Sequence, residues 1–295
     1  MAAWAVATVP TISPREVAWV DPRATRHELA RVTGEDHRHW SVRRTVGSPT
    51  AGERMADTLP EDLPGAPPRA AGTTTLGDGS TLTVRPWVEG RSLRWVMVRP
   101  GDPVVEDFAT FLATLHGTAP QSLAGGDGPV PTAEDLRTER LELLDQAAST
   151  GLVPPRLLGR WEEALADTEL WDTTPTVVHG RLADEHVLVT ADHELAAVMG
   201  WSQLHVGDPA EDFAVLSASA TPDVLSTVRA SYDRSTGRQD ERLLERARLV
   251  GEMADLPALV KAHARDDREA LAEIQSDLSH RSRLLAEAEE LDAWE

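Results

Sequence analysis

Cysteine is absent from the 295 residues, which excludes a disulfide framework and any thiolate metal site. Lysine is almost absent: Lys261 is the single example, and arginine supplies every other cationic side chain that is charged at all pH values of interest. That bias, together with abundant Ala, Asp and Gly, fits a GC-rich genome. Positive charge is scarce overall. The chain holds 29 Lys and Arg against 49 Asp and Glu, a formal charge of −20, with a sequence pI near 4.9. Such a surface repels a polyanion, so no nucleic-acid partner is expected. Long apolar runs are missing too. No stretch approaches the roughly 20 apolar residues of a membrane span, and the opening MAAWAVATVPTISP lacks the basic and long apolar regions of a secretory signal. A cytoplasmic protein with no membrane partner is expected.

What is present is enough apolar residue, 41% of the chain, to bury a sizeable core. The first third is strand-like. REVAWV (15–20), HELARVT (27–33) and RHWSVRRT (38–45) alternate partially with period two, and TGED between the last two is a hairpin turn. SPTAGERMADTL predicts a helix with Ser48 as N-cap and Pro49 at the first helical position, stopping at Pro60. Two further strands are expected around GDGS within GTTTLGDGSTLTVRPWVEG (72–90). No glycine-rich loop precedes residue 40.

Beyond about residue 103 the pattern turns helical. Val104, Val105, Phe108, Phe111, Leu112 and Leu115 recur at helical spacing, QSLAGGDGPVP (121–131) is a loop, and helices are predicted near 133–149 and 155–168. TPTVVHG and EHVLVTADHELAAVMGW interrupt as short strands with a turn at Ala191 and Asp192, and helices fill the stretch from Pro209 onward. The pattern predicts an α+β protein: a small antiparallel-sheet lobe with one helix (1–86), then a larger, mainly helical lobe (87–295) broken by one hairpin-like insert.

Two segments narrow this further. VVHGRLADEHVLV (177–189) and AVMGWSQLHVGDPAEDFAVL (197–216), supported by WVEGRSL (87–93) and LATLHGTAP (112–120), resemble the aminoglycoside and macrolide phosphotransferase family. The resemblance covers roughly residues 15–290 and implies a bilobal, protein-kinase-like fold. It implies ATP or GTP as cofactor and a small-molecule acceptor.

The residues that the family uses for chemistry are what differ. Phosphoryl transfer needs a carboxylate to orient the attacking hydroxyl, and ligands that hold magnesium against the nucleotide phosphates. The family's catalytic aspartate aligns with Arg181, its metal-binding asparagine with His186 and its metal-binding aspartate with Gly200. A general base contributes about 10² to 10⁴ in rate, and magnesium is held through hard oxygen ligands. Arginine, histidine and glycine supply neither. The phosphate-gripping lysine aligns with Arg43 in WSVRR, which can still act as a fork donor, and its partner acid is expected at Glu53, with Asp57 one turn on as the substitute.

Other positions carry bland expectations beside the functional ones. His179 matches the family and shapes the loop, and Asp208 and Asp212 are expected to support that loop through hydrogen bonds. Trp87 falls where the hinge meets an adenine ring, although tryptophan is more often packing. Asp184 and Glu185 are additional loop acids that could act as displaced bases. A zinc set of His179, Asp184 and His186 lacks the fixed ligand spacing of such sites. The leading expectation is a phosphotransferase fold that has lost metal-dependent transfer and serves as a binding or regulatory module. The alternatives are an active small-molecule kinase using shifted carboxylates (Asp184, Glu185 or Asp208) and an enzyme of altered chemistry on the nucleotide site, such as nucleotidyl transfer.

Overall fold

A computed structural model describes residues 1–21, 27–123, 129–237 and 239–292. The connection between the first two strands (22–26) and part of the expected loop at 121–131 lie outside the described residues.

The N-terminal part is a five-stranded antiparallel sheet in the order β1-β2-β3-β5-β4. Its strands are β1 (Pro14–Asp21), β2 (His27–Gly34), β3 (His39–Thr45), β4 (Gly72–Thr75) and β5 (Thr81–Pro86). Alternation assigns its two faces. Val32, Val42, Leu82 and Val84 point outward and are sealed by α1 (Ala2–Thr8) through Ala5 and Val9, while Ser41, Arg43, Thr83 and Arg85 point the opposite way, towards the helical part.

The helix after β3 is α2 (Ala51–Ala56), later and shorter than the spacing of Ser48 and Pro49 predicts. Thr50 is the N-cap. Its hydroxyl accepts from the Glu53 amide at 3.1 Å, and the Glu53 carboxylate accepts from the Thr50 amide at 2.8 Å. This reciprocal box satisfies two orphan donors, which a start at Ser48 cannot do. Gly52 lies against the backbone of Trp201, Ser202 and Leu204, where an added Cβ would approach to 2.6 Å. Only glycine permits that approach.

The helical part contains α3 (Pro103–Gly117), α4 (Ala133–Ser149), α5 (Pro155–Ala166), α6 (Ala210–Ser219), α7 (Pro222–Thr236), α8 (Leu243–Glu252), α9 (Leu256–Ala264) and α10 (Arg268–Asp292). The predicted apolar face of α3 is buried as a block, and Phe108 and Phe111 link Trp95 to Trp201 through ring contacts of 4.8 to 6.0 Å between centroids. Leu59 and Leu63 belong to this same core although they precede β4 in sequence, and the Gly65 carbonyl accepts from the Val198 amide at 2.7 Å. Each such buried aliphatic side chain contributes about 1.5–3 kcal/mol of transfer free energy, so α2 and its tail are held to the helical part. Among the described residues no helix is long and apolar enough to cross a membrane.

The expected single hairpin insert is in fact two small sheets. β7 (Thr176–Val178) pairs antiparallel with β10 (His205–Gly207), while β8 (Val187–Val189) pairs with β9 (Leu195–Val198) and with β6 (Arg91–Ser92). β6 and β10 span two and three residues, too few for alternation to register. These two sheets suspend the 179–186 loop between them.

Candidate functional site

The loop is anchored from below by one carboxylate. Asp212, in the first turn of α6, accepts from the His179 amide at 2.8 Å and the Gly180 amide at 2.9 Å, and its Oδ2 meets His116 Nε2 at 3.1 Å. It is fully buried. Burial alone would raise its pKa, but the His116 hydrogen bond and the neighbouring imidazoles outweigh burial and hold it below the usual range.

His179 is also sealed. Its Nε2 lies 2.8 Å from the Met199 carbonyl, which can only accept, so that nitrogen carries the proton and Nδ1 accepts the Arg181 amide at 3.4 Å. Burial lowers its pKa. The ring shapes the loop and does not face the cleft.

Asp208 does not support the loop as expected. Its carboxylate grips Arg246 in a fork at 2.9 and 3.3 Å and caps the Ala210 amide at 2.9 Å. Both Asp208 and Arg246 are fully buried. Arg246 also donates to Asp240 at 2.5 Å, to the Leu170 carbonyl and to the Thr173 hydroxyl. Burial would lower the pKa of this guanidinium, but the Asp240 hydrogen bond and the Asp208 charge more than reverse that and keep it raised. A carboxylate so committed cannot serve as a shifted base.

Asp184 also departs from expectation. It turns away from the cleft, and its Oδ2 accepts the Trp95 amide at 3.3 Å, leaving Oδ1 buried without a hydrogen-bond partner among the described residues. Burial raises its pKa. Glu185, next in sequence, is exposed and does line the cleft.

Between the sheet and this loop lies a cleft of about 610 Å³, within the usual range for small-molecule sites. Leu29, Trp87, Val88, Leu188 and Met199 give it apolar walls, and Arg43, Glu53, Arg85, Glu185 and His186 supply polar groups. Arg43 pairs with Glu53 through Nη2. Glu53 is 8% exposed, and the Thr50 amide and the Arg43 charge overcome its burial to lower its pKa. Asp57 pairs instead with Arg85 at 2.7 Å. Trp87 is half-buried, with the Arg31 guanidinium 5.8 Å from its ring centre.

His186 and Gly200 form one unit. Gly200 has φ +85°, and a Cβ built there would lie 2.3 Å from His186 Cδ2 and 2.5 Å from Nε2. The imidazole occupies the place a side chain at 200 would take. Arg181 is exposed, and its guanidinium has no hydrogen bond or ion pair among the described residues. No group of three or more His, Cys, Asp or Glu among the described residues is placed to hold a metal, so His179, Asp184 and His186 do not converge. The groups present do not fit magnesium. Gly200 has no donor, Arg181 is a cation, and the chain contains no asparagine at all.

Sequence reasoning missed Arg246, His116 and the cluster at His205. His205 Nε2 lies 3.2 Å from Glu211, which Arg140 also reaches at 2.9 Å. The His205 pKa is pushed up to about 9: burial would lower it, but the Glu211 hydrogen bond and charge prevail. His116 meets partners 96 and 116 positions away, whereas His205 meets Glu211 within the same short segment, a contact that no periodic pattern marks.

Compared with known proteins, the chain matches the sequence model of the phosphotransferase enzyme family over residues 30–250, well over half its length. It belongs to that family. Viomycin phosphotransferase of Streptomyces vinaceus is 28% identical over 190 residues, 59% of this chain and 65% of that protein. The uncharacterized protein YcbJ of Bacillus subtilis is 29% identical over 140 residues, 47% of this chain and 45% of the relative. The matches thus span about half to two-thirds of the curated relatives. Among solved structures, the macrolide 2'-phosphotransferase MphH from Brachybacterium faecium superposes with a TM-score of 0.79 at 22% identity, covering 92% of this chain and 96% of that one. A GDP and kanamycin complex of APH(2")-IIIa gives 0.73 at 17% identity, covering 95% and 97%. This phosphotransferase-family chain has the kinase-like phosphotransferase fold, with the five-stranded sheet before the helical part.

Proposed function

We propose that this family member holds a nucleotide in its cleft and has lost metal-dependent phosphoryl transfer to small-molecule hydroxyls. The observation that carries the reading is the placement of the His186 imidazole over Gly200, where a metal-ligating side chain would have to stand. Arg181 removes the proton acceptor at the same time. At about 4 Å a second cation costs roughly 4 kcal/mol per charge pair at an effective dielectric near 20, so a divalent ion is disfavoured beside it. The Arg43–Glu53 pair and the half-buried Trp87 support retention of a nucleotide, as do the GDP- and ADP-bound structures among the fold's neighbours.

Equilibrium binding of ATP and GTP with magnesium or EDTA tests the first half. Binding in EDTA is expected, and its absence in both conditions removes the reading. Magnesium-dependent phosphorylation of a macrolide or aminoglycoside at ordinary kinase rates would overturn the second half. The alternative, an active kinase with a shifted carboxylate, now falls to Glu185, since Asp184 and Asp208 are turned away or fully bonded. Under that alternative, Glu185→Gln abolishes turnover.

A further inference from the structure

The His186 ring is oriented more tightly than packing over a glycine requires. Its Nδ1 lies 2.7 Å from the Arg181 carbonyl, an atom that can only accept. The Ala183 amide also points at Nδ1, from 3.3 Å, but it has the Arg181 carbonyl as a nearer acceptor at 3.1 Å, and the carbonyl facing Nδ1 at 2.7 Å requires a proton between them. Whenever the ring carries one proton it sits on Nδ1, and the lone pair sits on Nε2. Nε2 has no hydrogen-bond partner among the described residues, and His186 lines the cleft beside Met199 and Gly200. The glycine is what admits it, since any Cβ at 200 would come within 2.5 Å of Nε2. Arg43 lines the same cleft. Among the described residues only its Nη2 is paired, to Glu53, so its remaining N–H groups are free to donate to a polyphosphate.

Taking the proposed nucleotide binding as given, we propose that His186 Nε2 accepts the terminal phosphoryl group of a bound nucleoside triphosphate. The Nε2 lone pair forms the N–P bond. The bond from the terminal phosphorus to the bridging oxygen breaks, and its electron pair leaves on the nucleoside diphosphate. The ring keeps its Nδ1 proton and becomes a phosphoimidazolium whose positive charge faces the Arg181 carbonyl. Imidazole is an established covalent nucleophile, and it differs from a hydroxyl in the respect that matters here. A hydroxyl must lose a proton to a base as it attacks, whereas an imidazole lone pair releases none. The step therefore needs no carboxylate at 181, the group this chain lacks, and the phosphate charge is met by Arg43 in place of a metal.

The test uses the full chain incubated with ATP or GTP labelled in the terminal phosphate, in EDTA and in magnesium. Protein-bound label that survives alkali and is lost in mild acid is expected in both, with a mass gain of one phosphoryl group on the peptide containing His186. His186→Asn and His186→Gln should bring the label to background at saturating nucleotide while circular dichroism is kept. Retention of the label in both variants overturns the proposal. Nucleotide binding by the wild type without any acid-labile label removes this step alone. Failure to bind nucleotide removes the functional reading beneath it, and the step falls with that reading.

Discussion

Within one loop, the backbone amides of His179 and Gly180 meet a carboxylate that is completely buried, whereas the side chain of the next residue, Arg181, stands exposed without a partner among the described residues. The same division runs through the surroundings. On the anchoring side the residues are sealed in two bonded sets, Asp212 with His116 and the His179 amide, and Asp208 with Arg246. On the other side, the Arg181 guanidinium is exposed and unpaired among the described residues, and His186 and Gly200 line the cleft. Removing any one buried charge strands its partners in a low-dielectric interior, while changing a cleft residue exposes the new group to solvent. The support of the loop and the lining of the cleft thus rest on different residues.

The largest effect should come from the anchoring side. Arg246→Leu leaves Asp208 and Asp240 uncompensated and is expected to cost about 3–5 kcal/mol in urea unfolding. A loss below about 1 kcal/mol, the level of an exposed ion pair, would erase the contrast between the two sides. Next is the unit at 186 and 200. Gly200→Asp alone must enter a left-handed backbone position, at about 1–2 kcal/mol, and must also displace the imidazole. Adding His186→Asn should relieve the clash, with a coupling of about 0.5–3 kcal/mol in a double-mutant cycle. Strict additivity would show that ring and glycine are independent.

Arg181→Asp should leave stability within about 0.5 kcal/mol, as for an exposed side chain free of buried partners. In a fluorescence titration it should weaken metal-free ATP binding about tenfold, or 1.4 kcal/mol. Unchanged affinity would remove the guanidinium from the phosphate's surroundings. The smallest effect concerns His205. Its folded pKa, about 9, lies above the unfolded value near 6.5, so its stabilising contribution is complete below about pH 6.5 and is lost as pH rises through 9. Its side chain is 44% exposed, and solvent screening keeps the effect small. His205→Gln should flatten the difference in melting temperature between pH 6 and pH 9.5, and an undiminished difference would assign that slope to another group.

Much of the architecture was legible because local rules and tertiary packing agree. The strands at His27–Gly34 and His39–Thr45 and the helix Pro103–Gly117 follow from alternation and from apolar spacing. α2 begins later than Ser48 and Pro49 suggest because Thr50 and Glu53 form a capping box, a signal that is present in the sequence beside the competing proline. The contact of Arg43 with Glu53 was legible from the family resemblance, which pairs a strand cation with an acid on the following helix, and alternation alone assigns Arg43 only to a face. The orientation of Asp184 was not, since adjacent residues in a tight turn face different ways and only the Trp95 amide, 89 positions away, shows which. The partner of Asp208 was hidden for the same reason: Arg246 is 38 residues on and looks like any other helical arginine.

By itself the sequence determined which chemical groups this protein has at the loop: a cation at 181, an imidazole at 186, no side chain at 200, and no cysteine or asparagine anywhere. These are facts of composition, and no packing can alter them. Tertiary structure decided what each group can do. It fused His186 with Gly200 into one device, left Nε2 open to the cleft, committed Asp208 to Arg246 and turned Asp184 towards Trp95. The physical reason is that hydrogen bonding and desolvation act over a few ångströms between residues that the chain order keeps tens of positions apart.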